Sequence, residues 1–568
     1  MRRLVLLTSL LILNPALARE ASVGPGCTFT DLQSAINFVA GDASGPDRLL
    51  LRQGTIPIPS GVVINLQADL SIEGGYSGCG SGAGAGRTVL DAAGGPDGTA
   101  ITVFQGNNAI DPRLGFTRVE VTGASGETGP FANPEGGGLE LRGRMRVVLG
   151  EQTEISDNRS GRGGGIYLLG NGPTARVVLS LIEGARVLDN AVVHSGGGIY
   201  CHDNATILLD DGDVSFNSAA RGGGIDLAGA SCLLDSQVAA NAFTGINNNA
   251  GGGLETGAGR VLLRGRPGAP FYFIGNTGGG AHLGNRSATR VNHLLRNVVF
   301  HLNEAGTGGP AGGLSVFDNV RVVIESTSDQ CSLFGLQGCS AFFNNVGPTA
   351  ASGGGAITSG ALTGEAIIEI RRTRFSGNRG GAAVYAGFSG AVLDAEGLLV
   401  EGNVATAAAS GSLHSEVLLS ARQARIRHTT ITGNSARFVF DDFPEPLDLG
   451  GSILWHTGGR VLRASGARSI DYEGCLLASD THGLPDPARI ITGDPRLDAG
   501  FIPSRGSPAL DACDALPGAE SFDYAGRPRG IDQPTVPDRL GPYDLGALEA
   551  ALLPPQGSDI FANGFESP

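Results

Sequence analysis

The sequence predicts an all-β fold, a right-handed parallel β-helix with an N-terminal capping helix and a C-terminal cap. Three observations predict it. A phrase made of an apolar residue, two further residues and asparagine recurs ten times, with the asparagines 24 to 42 residues apart. Runs of two or three glycines follow in phase, opening at Gly163, Gly196, Gly222, Gly251, Gly278, Gly312, Gly353 and Gly380. Short apolar strands fill the intervals, with no helical periodicity between them. A period in this range marks a solenoid or a propeller. Three short strands per repeat, without Asn-Gly hairpins joining paired strands, select the coil of a β-helix over a four-stranded blade.

Residues 1–18 read as a secretory signal peptide: Arg2 and Arg3 are the charged region, Leu4 to Leu13 the apolar core, and Ala16-Leu17-Ala18 the cleavage site. The apolar run is too short to span a bilayer, and no later one approaches 18 residues, so the mature chain is expected to have no transmembrane segment. Residues 19–100 hold the N-terminal cap and first coils. In "TFTDLQSAINFVAG" (28–41), Asp31 can N-cap, and Leu32, Ala35, Ile36 and Val39 share one helical face. Such a helix would cover the strand edges that an open solenoid end exposes.

Residues 101–460 carry the coils. In 163–190 the strands are Ile166–Leu169, Arg176–Ser180 and Arg186–Leu188, with the turn Gly170–Thr174 after the first. Stacking places each corner over its copy about 4.8 Å away. The corner asparagines are Asn158, Asn190, Asn217, Asn241, Asn276, Asn303, Asn345, Asn378, Asn403 and Asn434. Asparagine tolerates the left-handed backbone of a sharp corner, and its amide donates and accepts, so stacked copies can bond along the axis. Glycine lets neighbouring backbones approach at the next corner. Residues 461–550 form the C-terminal cap and 551–568 a tail.

Eight cysteines fit an oxidising compartment. Local pairing assigns Cys27 to Cys79, Cys201 to Cys232, Cys331 to Cys339 and Cys475 to Cys513, although the sequence leaves connectivity open. No CxxC and no Cys/His set with metal-ligand spacing is present, so neither a metal site nor a cofactor is expected.

"FNSAARGGGI" and "FSGNRGGAAV" resemble the repeats of polymorphic outer-membrane proteins and of exported bacterial β-helix proteins, over residues 130–440. "GDPRL" (493–497), "SPALDACD" (507–514), "DYAGRPR" (523–529) and "DLGALE" (544–549) resemble a choice-of-anchor module. Cys513 stands where that module usually has glycine, which supports the pairing with Cys475. "DIFANGFESP" resembles a terminal motif of exported gammaproteobacterial proteins. The resemblances imply a secreted or cell-surface protein of a Gram-negative bacterium. No run of alternating strands at the C-terminus supplies the translocating barrel of a complete autotransporter.

The composition narrows function further. All 40 basic residues are arginine. That excludes a GxxxxGK[ST] phosphate loop, a Schiff-base lysine and a Ser-Lys dyad. Formal charge is −15, and −17 once the two arginines of residues 1–18 are gone, which disfavours nucleic acid. The acid pairs "LLDDGD" (Asp210, Asp211, Asp213) and "FDDFPEP" (Asp441, Asp442) read as turns; a carboxylate pair for hydrolysis or a calcium set at Asp210, Asp211 and Asp213 is the competing reading. Arg425 and Arg427 read as an exposed strand face, and His194, His202, His414 and His428 as surface or turn residues. No catalytic residue is assigned. A disulfide-braced excursion bearing Leu333, Phe334 and Leu336 is a candidate contact loop. The leading expectation is a monomeric, non-catalytic, adhesin-like protein presenting a long flank to an extracellular glycan or protein. The alternative is a divergent polysaccharide lyase or glycoside hydrolase, which a stacked Asp/Glu/His/Arg cluster on one face would favour. A structural layer protein with no discrete ligand is a third reading.

Overall fold

The computed structural model describes residues 18–553, apart from 41–44, 81, 83, 85, 95–97, 127–134, 238–244, 248–251, 267, 307–310, 328–338, 349–352, 362, 363, 388, 406–415, 442–444, 464–468 and 473–474. Residues 1–17 of the expected signal peptide, Asn241, Cys331, Leu333, Phe334, Leu336, His414, Asp442 and the terminal motif lie outside the described residues.

The strands pair in parallel, coil upon coil, and build a right-handed β-helix. Each coil contributes to three stacks, called here sheets 1, 2 and 3 in the order the chain meets them. Sheet 1 runs from Val62–Asn65 to Arg460–Leu462 through fourteen described strands. Sheet 2 includes Met145–Leu149, Arg260–Arg264 and Gln423–Arg427; sheet 3 includes Glu154–Ser156, Phe271–Ile274 and Thr430–Thr432. Two long strands, Val177–Leu188 and Ala205–Ser215, run through both sheets 2 and 3. Coil strands continue to Leu476–Ala478.

The interior is one aliphatic column, because alternate residues of every strand point inward. Leu139, Leu141, Ile166, Leu168, Ile199, Cys201, Ile225 and Leu227 are its sheet 1 side. At the sheet 3 corner the apolar position of the repeat is phenylalanine in four successive coils. The rings of Phe273, Phe300, Phe342 and Phe375 stack with centroids 4.7, 4.7 and 5.0 Å apart and planes within 3°, so the coil spacing doubles as an aromatic stacking distance.

The asparagines form columns. The Nδ2 of Asn303 donates to Oδ1 of Asn345 at 2.9 Å, and that of Asn345 to Asn378 at 2.9 Å. Each Oδ1 also accepts the backbone N–H of the asparagine one coil back, as in Asn303 to Asn345 at 3.1 Å. The same pattern joins Asn158 to Asn190, Asn190 to Asn217, Asn276 to Asn303, Asn378 to Asn403, and Asn403 to Asn434. The expected backbone role needs correction. The left-handed residue is the one before each asparagine: Asp157, Asp189, Phe216, Gly275, Leu302, Asn344, Gly377, Gly402 and Gly433 all have φ between 51° and 67°. The asparagine itself is freed to turn its amide into the column.

The glycine runs do two jobs. Gly163, Gly196 and Gly222 turn the chain at φ 63°, 68° and 53°. The glycines after them pack backbone on backbone: a Cβ on Gly164 would sit 2.5 Å from the Gly197 carbonyl, and one on Gly197 2.4 Å from that of Gly223.

The N-terminal helix is Leu32–Val39. Asp31 caps it, accepting from the Ser34 N–H, and Leu32, Ala35, Ile36 and Val39 are buried as expected. Disulfides join Cys27 to Cys79, Cys201 to Cys232 and Cys475 to Cys513, and Cys339 is also disulfide-bonded. At the far end Leu484 and Ile490 join the interior cluster. Residues 494–550 lie along the flank: Ala547 N–H donates to Thr430 Oγ1, Gly546 N–H to the Gly451 carbonyl, and Arg427 to the Pro517 carbonyl.

That flank decides which half of one expectation holds. His428 is buried, 1% exposed, with φ 45°. Burial, reinforced by Arg529 and Arg427, holds its imidazole well below its ordinary pKa. It is a neutral corner residue beneath the C-terminal segment, so it is not on the surface.

Candidate functional site

Sheet 1 brings together side chains that the sequence keeps far apart. Register stacks Thr102, Glu140, Tyr167, Tyr200, Asp226, Glu255, His282, Ser315, Thr358, Tyr385 and Ser420 in one row. Their inward neighbours fill the core, so this row points away from it. Each row residue from Glu140 to Ser315 stands directly after a Gly-Gly-apolar triplet. That phrase was read only as backbone packing; the residue following it was the signal that sequence reasoning missed.

Two adjoining clefts open over the middle of the row. One, about 380 Å³, is lined by Arg162, His194, Tyr200, Arg221, Asp226 and Arg286, among others. The next, about 410 Å³, includes Glu255, His282, Asn285, Arg286, Phe317 and Asn319. Arg286 borders both, so they read as one groove of ligand-site size.

The floor is aromatic at one end and acidic at its centre. Tyr167 and Tyr200 stack at 5.7 Å, and the guanidinium groups of Arg142 and Arg162 lie over these rings at 5.4 and 5.8 Å. Arg142 is bound to Glu135 and Glu140. His282 stacks on Phe317 at 5.5 Å. Burial raises the Tyr167 and Tyr200 hydroxyls above their ordinary pKa.

Asp226 and Glu255 are directly opposed on paired strands. Their environments differ. Glu255 receives Arg221 Nη2 at 2.7 Å. Asp226 is 3% exposed, and its Oδ1 has no hydrogen-bond partner among the described residues. Burial first, then the Glu255 charge, push the Asp226 carboxyl up to about 6, with Arg221, Ser195 and Arg286 opposing. Arg162 and Arg286 enter no ion pair among the described residues.

Sheet 2 is different. Several of its arginines are matched by carboxylates on neighbouring strands: Arg264 with Asp235, Arg296 with Glu325, Arg321 with Glu369, and Arg425 with Asp394. Arg425 is therefore the expected exposed strand residue. Arg427 is not; it is buried against Asp448. The acid pairs also moved from expectation. Asp441 is fully buried and accepts from Ser420 Oγ at 2.9 Å, so it is no free turn carboxylate. Asp210, Asp211 and Asp213 lie within the strand Ala205–Ser215, at a kink where Asp211 has φ 71°. His194 and His202 are exposed, as expected.

One further acidic group was not foreseen. Asp511, Asp532 and Asp538 place carboxylate oxygens within 4.8 Å of one another. Its buried member, Asp511, already accepts the Gln533 N–H.

No protein-family model matches the chain, and no curated protein matches it.

Proposed function

We propose that this is an exported β-helix protein that binds an extracellular acidic polysaccharide along the groove over sheet 1. The observation that carries the reading is the charge contrast. The chain is strongly acidic overall, and several arginines of sheet 2 are paired with carboxylates on neighbouring strands. The groove holds Arg162, over the Tyr200 ring, and Arg286, at the junction of the two clefts, neither in an ion pair among the described residues, beside Arg221, which pairs with Glu255. Guanidinium groups without an ion-pair partner select carboxylate or sulfate groups on a ligand. The coil repeat of about 4.8 Å gives the groove a linear periodicity suited to a linear polymer.

Export is supported by the leader-like residues 1–18 and by disulfides, which persist in oxidising compartments. The likeness of the repeats to polymorphic outer-membrane proteins, and of residues 493–549 to a choice-of-anchor module, supports display at a Gram-negative cell surface.

The test is binding of polygalacturonate, alginate and hyaluronan, with xylan and cellulose oligomers as neutral controls, measured by calorimetry at two salt concentrations. Binding to an acidic polymer that weakens with salt, and that falls at least tenfold in R162A/R286A, is expected. Equal binding of neutral polymers, or unchanged binding by the double variant, overturns the reading.

A further inference from the structure

We propose that the groove is also a hydrolytic centre, in which Asp226 and Glu255 cleave the glycosidic bond of the bound acidic polysaccharide with retention of configuration. The proposal rests on the acidic-glycan reading of the groove. Three independent observations carry it.

The first is spacing. Asp226 and Glu255 are register partners on adjacent parallel strands, whose backbones lie about 4.8 Å apart. Carboxyl groups set about 5–5.5 Å apart belong to retaining glycosidases, whereas inverting enzymes hold them about 6.5–9.5 Å apart to admit a water. Register partners on neighbouring strands of a parallel sheet favour the shorter spacing.

The second is that the two carboxyls are made different. Arg221 holds Glu255 by a 2.7 Å charged hydrogen bond. Asp226 is enclosed, lacks a partner for Oδ1 and faces the Glu255 charge, which favours its acid form. The enclosed carboxyl is assigned as the acid and the arginine-bound one as the nucleophile. Tyr200 and Arg162 on one side, and Ser195, His194 and Arg286 around the cleft, complete the polar groups facing Asp226.

The third is access. Both residues line the groove floor, Asp226 in the first cleft and Glu255 in the second, with Arg286 shared. A sugar spanning the two clefts places its linkage between them.

The chemistry balances with water alone as co-reactant. Glu255 Oε attacks the anomeric carbon as its bond to the leaving oxygen breaks. The proton of Asp226 passes to that oxygen, which departs as an alcohol. The Asp226 carboxylate then takes a proton from water, whose oxygen displaces Glu255 from the anomeric carbon. The free Glu255 carboxylate and protonated Asp226 are restored.

The experiment incubates the full chain with polygalacturonate, alginate and hyaluronan. It measures new reducing ends, ultraviolet absorbance of unsaturated uronides and, by proton NMR, the first anomer released. The expected result is new reducing ends without unsaturation, retained configuration and activity that falls above pH about 6. D226N and E255Q should each lose activity on the order of 10³-fold, with binding retained and with D226N no less stable than the wild type. In E255A, azide should restore turnover as a glycosyl azide. Binding without turnover overturns the hydrolase while leaving the binding groove intact. No binding to any acidic polymer overturns both. Unsaturated products, an inverted anomer or full activity in D226N each refute the proposed step.

Discussion

Replacing Asn345 with alanine tests the asparagine column at its centre. Asn345 is fully buried. Its Oδ1 accepts the backbone N–H of Asn303 at 3.1 Å and the Nδ2 of Asn303 at 2.9 Å. Its Nδ2 donates to the Phe300 carbonyl at 3.0 Å and to Asn378 Oδ1 at 2.9 Å. Alanine removes all four bonds, but their costs are unequal. Asn378 Oδ1 keeps the backbone N–H of residue 345, at 3.1 Å. The two Asn303 donors are stranded in a dry interior, each at about 1–3 kcal/mol. The expected loss is therefore about 4 kcal/mol. Asn434 is the control. It accepts the same two donors from Asn403, at 2.9 and 3.0 Å, but is only half-buried, so water can replace its amide. Its alanine variant should cost about 1 kcal/mol. The assay is hydrogen exchange by mass spectrometry, because a long solenoid need not unfold in two states. The peptide holding the Asn303 amide should exchange about three orders of magnitude faster in N345A. If N345A speeds Asn303 by no more than N434A speeds Asn403, the column is not a source of stability and the reasoning fails.

Other expectations follow from single contacts. Leu302 is 54% exposed and held at φ 54°; L302G should stabilise by about 0.5–1 kcal/mol, read as a raised urea midpoint, because left-handed backbone strains a Cβ. In G165A the new methyl meets the Gly198 carbonyl at 2.7 Å and Asn190 Nδ2 at 2.9 Å. It should lower the thermal midpoint clearly, by about 1–3 kcal/mol, whereas G458A, where nothing lies within 4 Å, should be neutral. Asp226 gives a pH signature. Its folded pKa, about 6, lies above its ordinary 3.8, so the folded state holds the proton more tightly. Stability is then greatest below pH about 4 and falls through pH about 6, by about 3 kcal/mol in all. Local exchange around residues 221–228 should show that loss in the wild type and not in D226N. Finally, the Cys27–Cys79 bridge spans 52 residues; C79S should loosen the N-terminal cap by about 4 kcal/mol, seen as early proteolysis near the helix.

Some features were legible because they repeat locally. The Asn phrase and glycine runs mark corners, and corners in one coil stack on corners in the next. The local pairs proposed from the sequence, which left connectivity open, are the ones the structure joins: Cys27–Cys79, Cys201–Cys232 and Cys475–Cys513. The site was less legible. Asp226 and Glu255 each look ordinary in "GGGID" and "GGGLE". Their opposition depends on loops of unequal length returning the chain to the same register. That His428 sits at a turn was legible; that it is buried was not, because its cover comes from residues 427, 451 and 529, two of them distant in sequence. The backbone of the corners was misassigned by one residue: "SDN", "LDN" and "HLN" do not reveal which residue turns left-handed until the amide is seen bonded up the column.

The sequence by itself determined that the chain coils, where it turns and which faces are apolar, since those follow from short-range periodicity and glycine and asparagine chemistry. Only the tertiary structure decided which outward side chains share a row, which arginines are neutralised and which carboxyl is shut away from water. The physical reason is that electrostatics and burial act through space at a few ångströms, while successive coils are joined by some thirty residues of chain.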